Sequence, residues 1–118
     1  MAFMGEVTGS LISADGATYE VKRAFVTTAA SGNTAVVAAV TGKKIRVLGY
    51  TLSAVSANNV KFQRGTTDVI PLHYMGATST VSVPYDGHGH CETAVTEALN
   101  VNLSAATSVS CLVRYIEV

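Results

Sequence analysis

Tryptophan is absent, and aromatic residues of all kinds make up only 7% of the 118-residue chain. Charge is also scarce. Asp, Glu, Lys and Arg together reach 14%, and eight cations balance eight acids to a net charge of zero. An ordinary soluble domain carries about 25% charged residues. Each shortage excludes something. A nucleic-acid binder needs a basic field or face, and these few scattered cations supply little of one. No apolar run approaches the roughly 20 residues of a membrane-spanning helix. The opening Met1-Ala2-Phe3-Met4-Gly5-Glu6 lacks the basic start and apolar stretch of a signal peptide. Neither nucleic acid nor membrane is therefore expected as a partner. Cys91 and Cys111, the only cysteines, are too few for the disulfide framework of a small secreted scaffold. Two reduced thiols in a cytosol are expected.

What the chain has in quantity is alanine, valine, threonine, serine and glycine. At 48% hydrophobic it is not disordered, and its length predicts one domain. A neutral, weakly charged chain tends to associate when its surface is left bare. That points to a component of an assembly, with much of its surface covered by other protein.

The hydrophobic pattern is β almost throughout, punctuated by Gly, Asn and Asp clusters at about the 8–12-residue spacing of a sandwich or barrel. Asn58 to Arg64, Thr80 to Tyr85 and Leu99 to Ser104 alternate with period two. Each reads as a strand with one buried face. In Tyr19 to Thr27 the residues Tyr19, Val21 and Phe25 share a face, interrupted by Arg23. Three segments, Thr34 to Val40, Ile45 to Ala54 and Val109 to Val118, are apolar on both faces. A two-layer sandwich leaves one face of each strand wet, so these segments predict a subunit interface. A parity switch near Val47-Leu48 predicts a β-bulge or a change of sheet. Glu92 to Leu99 contains β-branched residues that weaken a helix and reads as a strand or loop. Residues 1–18, with Gly5, Gly9 and Gly16, read as an extended arm. Residues 19–118 form a single sandwich domain.

Chemistry-bearing residues concentrate in Asp86-Gly87-His88-Gly89-His90-Cys91-Glu92. His88, His90 and Cys91 are zinc-type ligands, but a structural zinc site takes four ligands at recognised spacings. The plainer reading is a glycine-rich loop, with no metal or other cofactor implied. No nucleophile elbow, phosphate loop or dinucleotide fingerprint is present. Cys91 beside His90 is a poor nucleophile–base pair, since neighbours on a strand face opposite ways. Glu92 and Glu97 read as a solvated edge. Lys43, Lys44, Arg46, Lys22 and Arg23 lack the interleaved aromatics of a single-strand binding platform. No catalytic residue is identified, and the chain is read as a non-enzyme.

Tyr19-Glu20-Val21-Lys22-Arg23-Ala24, the run from Asn33 to Leu48, Gly89-His90-Cys91-Glu92-Thr93-Ala94, Glu97 to Ser104 and the closing Tyr115-Ile116-Glu117-Val118 together resemble a family of small virion structural proteins of tailed bacteriophages. The resemblance covers about Tyr19 to Val118. It implies a jelly-roll-like sandwich and a place in the virion, with no catalytic residues to carry over. At Cys91 the family would have a bulkier apolar or aromatic side chain.

The expected fold is all-β, an antiparallel jelly-roll-like β-sandwich of about eight strands with an N-terminal arm. The expected function is that of a capsid decoration or cement protein. It would assemble in the host cytoplasm, bind the major capsid protein on the capsid surface and form a homo-oligomer, a trimer by fold-level analogy. Leu48, Leu52, Leu112 and Ile116 are the expected inter-subunit contacts. An alternative is a tail, baseplate or fibre-associated module that binds host glycan through Tyr50, Tyr74 and Tyr85, or binds another tail protein. A third is a small cupin-like metal-dependent enzyme, for which His88, His90, a carboxylate and His73 would have to converge.

Overall fold

Strands dominate the computed structural model, which describes residues 11–14 as backbone and residues 16–118 in full. They are β1 (Leu11–Ala14), β2 (Ala17–Glu20), β3 (Lys22–Thr28), β4 (Gly32–Val37), β5 (Ile45–Ala54), β6 (Asn58–Arg64), β7 (Thr67–Asp68), β8 (His73–Met75), β9 (Ser79–Val83), β10 (Cys91–Glu92), β11 (Leu99–Leu103) and β12 (Val109–Glu117). β1 and β2 pair only with each other, as a hairpin. The other strands form two antiparallel sheets. In sheet I the order is β3-β12-β5, with β9 and β10 sharing the far side of β5. In sheet II it is β4-β11-β6, with β7 and β8 sharing the far side of β6.

β7 with β8, and β9 with β10, are each one interrupted run along a neighbour's edge. Counted so, β3 to β12 make eight segments, ordered 1-8-3-6 in sheet I and 2-7-4-5 in sheet II. That is a jelly-roll-like sandwich built of two interleaved Greek keys. The chain changes sheet at β3–β4, β4–β5 and β5–β6, so strands that are neighbours in sequence face each other across the core.

The core is the set of inward positions that the alternation predicts. Val47, Leu52 and Val113 of sheet I meet Val60, Phe62, Val101 and Leu103 of sheet II. Tyr50 and Phe62 touch edge to face with ring centroids 4.9 Å apart, a favoured aromatic geometry. The expected bulge is present. Arg114 pairs with Gly49 and Tyr115 with Val47, which leaves Leu48 as the extra residue on β5. The bulge lets Val47 and Tyr50 both point inward, and it accounts for much of the two-faced look of Ile45 to Ala54.

Two expectations are corrected. Phe25 does not share an inward face with Tyr19 and Val21. The strand breaks at Val21, and β3 takes its register from β12, with Ala24 opposite the buried Val113. Phe25, one residue on, therefore faces out and is 80% exposed. Thr34 to Val40 is not apolar on both faces in any useful sense, because β4 ends at Val37 and Ala35, Ala38 and Ala39 are simply exposed. Exposed alanine costs little, so a run of alanines mimics a buried surface. Of the expected arm, residues 1–18, the described part lies in β1 and β2, a hairpin that runs on to Glu20 and pairs with neither sheet. The rest of the arm, residues 1–10 and 15, lies outside the described residues.

Candidate functional site

The histidine loop is built as a turn against β5. Asp86 N–H donates to Leu48 O and His90 N–H to Val47 O, both at 2.7 Å. Asp86 Oδ1 accepts from His88 N–H at 2.9 Å, and Gly89 N–H closes onto Asp86 O at 3.0 Å. Gly89 has φ +88°, and a Cβ there would lie 2.7 Å from Arg46 Cγ. Glycine is therefore required twice over, by backbone angle and by space.

The three zinc-type residues go separate ways. His88 is exposed. His90 Nε2 is 2.9 Å from Pro84 O. A carbonyl only accepts, so that nitrogen carries the proton and is occupied. Cys91 turns inward against the core. Burial, with Glu92 adjacent, pushes its thiol up to about 12. Among the described residues no three His, Cys, Asp or Glu side chains gather as metal ligands.

His73 and His90 instead flank a buried tyrosine. Tyr50 Oη and His73 Nε2 share a hydrogen bond of 2.8 Å, and the two rings stack at 5.8 Å. The His90 ring meets Tyr50 edge-on at 6.5 Å. Burial, with Cys91 and Cys111 nearby, holds the Tyr50 phenol above its usual range, so it is a neutral hydrogen-bonding group. β5 and β8 belong to different sheets, and this bond ties the two layers together. Tyr50 is thus unavailable as a glycan platform, while Tyr74 is 80% and Tyr85 45% exposed.

Several charges noted in the sequence are committed to one another. Glu92 holds Arg46 at 2.9 Å and Lys44 at 3.5 Å. Glu117 holds Lys22 at 3.3 Å, and Glu97 holds Arg64 at 3.2 Å. Glu92 and Glu97 are ion-pair partners and not an acid–base couple.

The expected inter-subunit contacts need correction. Leu48, Leu52 and Ile116 have 0% exposure within the single chain, so they offer a partner nothing to bury. The alternation showed two apolar faces but not that the bulged strand and its own chain cover them. Leu112 alone keeps accessible surface.

Leu112 lies on the outer face of sheet I, directly across from Phe25 on β3 and Thr51 on β5. Around this pair the face is a ladder of hydroxyls. Thr27 and Ser110 are in contact at 3.0 Å and Thr51 and Ser82 at 3.3 Å. Toward one end the ladder runs into an open groove of about 410 Å³ lined by Ser53, Val55, Thr78, Ser108 and Ser110. The outer face of sheet II is different. There Asn102 donates to Asn33 at 2.8 Å, Gln63 to Asp68 at 2.6 Å and Lys61 pairs with Asp68 at 3.0 Å. Its polar groups satisfy one another. Tyr74 of β8 stands exposed there by itself, whereas the face of sheet I carries exposed Phe25 beside the part-exposed Leu112 and is the candidate functional surface. The sequence signal for it was Phe25, whose alternation was assigned to the wrong side.

The chain matches no protein-family model, and no curated protein is similar to it in sequence.

Proposed function

We propose that the chain is a non-enzymatic virion structural protein of a tailed bacteriophage, a capsid decoration or cement protein that binds the major capsid protein on the head surface. The observation that carries this reading is the outer face of sheet I, where exposed Phe25 stands beside the part-exposed Leu112 on a two-layer scaffold. An exposed aromatic beside an aliphatic side chain on a sheet face is a protein-contact feature. The resemblance of the chain to small phage virion proteins supplies the setting. On a capsid lattice each weak contact recurs at every equivalent position, so a modest face suffices. The homotrimer expected above loses the contacts it was built on, since three of its four residues are internal.

A tail or fibre-associated module is the second reading, favoured by the exposure of Tyr74 and Tyr85, since exposed rings stack on sugars and proteins alike. Peptide mass spectrometry of gradient-purified particles, with heads and tails separated, distinguishes the two. The capsid reading expects the chain with the heads. Recovery with tails alone supports the second reading, and absence from both overturns each.

A further inference from the structure

We propose that Asp86 and Gly87 form a self-modifying site. The Gly87 backbone nitrogen attacks the Asp86 side-chain carboxyl, and the folded chain converts Asp86 to isoaspartate through a cyclic imide, which loosens the histidine loop from β5.

The loop commits its amides with one exception. Asp86 N–H donates to Leu48 O and His90 N–H to Val47 O, each at 2.7 Å, and Gly89 N–H donates to Asp86 O at 3.0 Å. His88 N–H donates to Asp86 Oδ1 at 2.9 Å. Among the described residues the Gly87 N–H alone in this loop meets no acceptor. The bond from His88 folds the Asp86 carboxyl back over the Gly87 peptide, because the ring it closes contains the Gly87 nitrogen. A donor at Oδ1 also stabilises the charge that develops on that oxygen as the nitrogen adds to Cγ. Gly87 has no Cβ to hinder the approach. Asp86, Gly87 and His88 are all exposed, so water reaches the site.

The reaction needs only water. With the carboxyl protonated, the nitrogen bonds to Cγ, the bond from Cγ to the hydroxyl breaks, and the hydroxyl leaves as water with the amide proton. Water then opens the imide at one of its two carbonyl carbons. Opening at Cγ restores aspartate. Opening at the backbone carbonyl leaves the main chain running through Cβ and Cγ, one carbon longer, with the former carbonyl as a free carboxylate. The oxygens that accept from Gly89 and His88 thereby exchange roles. Both ends of the loop are pinned to neighbouring residues of β5, so the longer chain fits only by breaking those bonds. His90 then leaves the edge of Tyr50.

Asp68 is the comparison within the same chain. Gln63 holds its carboxylate at 2.6 Å and Lys61 at 3.0 Å. The next residue is the branched Val69, whose N–H is donated to Phe62 O at 3.0 Å. A bonded carboxylate and a bonded, crowded nitrogen keep Asp68 as aspartate.

The test ages the purified full chain for several weeks at mildly acid pH and physiological temperature, then digests it with trypsin. Asp68 and Asp86 share the peptide from Gly65 to Arg114. Isomerisation leaves the mass unchanged, so electron-transfer fragmentation is used to locate isoaspartate within that peptide. The wild type is expected to accumulate it at Asp86 and not at Asp68. Gly87→Ala should lose most of the signal. A Cβ there would meet only Tyr85 Oη, at 3.9 Å, and the backbone is not left-handed, so this variant should melt like the fresh wild type. The isomerised wild-type fraction should melt lower, and Gly87→Ala aged beside it should not. Absence of isoaspartate at Asp86 in the folded chain overturns the proposal, above all if the chain forms it in denaturant, since the loop would then protect the pair. Equal accumulation in Gly87→Ala overturns it too, as does an isomerised fraction that melts like fresh protein.

Discussion

Cys91 and Cys111 sit on opposite sides of β5, one opposite Val47 and the other opposite Leu52. Two strand spacings put them about 10 Å apart before the register offset is added, beyond the roughly 7 Å Cα separation that a disulfide spans. Both thiols stay free, and burial raises each to about 12. A thiol reagent at pH 8 should therefore react slowly with the native protein and count two thiols after unfolding. The unfolded chain loses those protons near pH 9 and the folded chain near 12, so stability should fall as pH rises between the two. Replacing both cysteines with alanine should flatten part of that slope in melts recorded against pH. Gly89 makes a sharper residue-level prediction. Gly89→Ala combines a left-handed backbone with a side chain pressed on Arg46, which Glu92 pins, and should cost about 1–3 kcal/mol in denaturant unfolding. The glycine was legible as part of a loop, but its contact with Arg46, distant in sequence, was not. Asn58 was also illegible as a core residue. It is buried and donates to the Ala105 and Thr107 carbonyls, linking the start of β6 to the β11–β12 loop. Asn58→Ala should cost about 2 kcal/mol by stranding those carbonyls.

Among the elements, β5 shows how far period two reaches. Its inward residues and its bulge were readable because the parity of apolar residues switches at Val47-Leu48. What covers Leu48 was not, because alternation assigns a face and not a neighbour. The same limit misplaced Phe25: pairing with β12 decides which face of β3 turns inward, and alternation alone does not reveal it. Leu52 and Leu112 were treated alike in the sequence and should behave differently. Leu52→Asp buries an unpaired carboxylate and should abolish cooperative unfolding. Leu112→Asp places the charge on the outer face and should leave a folded domain with little change in melting temperature. Equal loss of fold in the two would show that the outer face is not open at Leu112. The bond between Tyr50 and His73 ties β5 to β8, and Tyr50→Phe should cost about 1 kcal/mol.

At the scale of the molecule, the jelly-roll-like order places every long strand with one face in a shared core, and the two outer faces then differ in kind. Sheet II lines its outer side with amides and ion pairs, with Tyr74 of β8 exposed near its edge. Sheet I leaves Phe25 and Leu112 beside Arg23 and Arg114, with hydroxyls along the neighbouring positions. The low, balanced charge raises the expectation of a chain that associates, without saying where. The proposed attachment of this chain to a phage head through that face is tested by electron microscopy of particles carrying a tagged copy. Tag density is expected to repeat at equivalent lattice positions on the head and to be lost when Phe25→Ser and Leu112→Asp are combined. Particles with no tag density on the head, or with density that persists in the double variant, would contradict it.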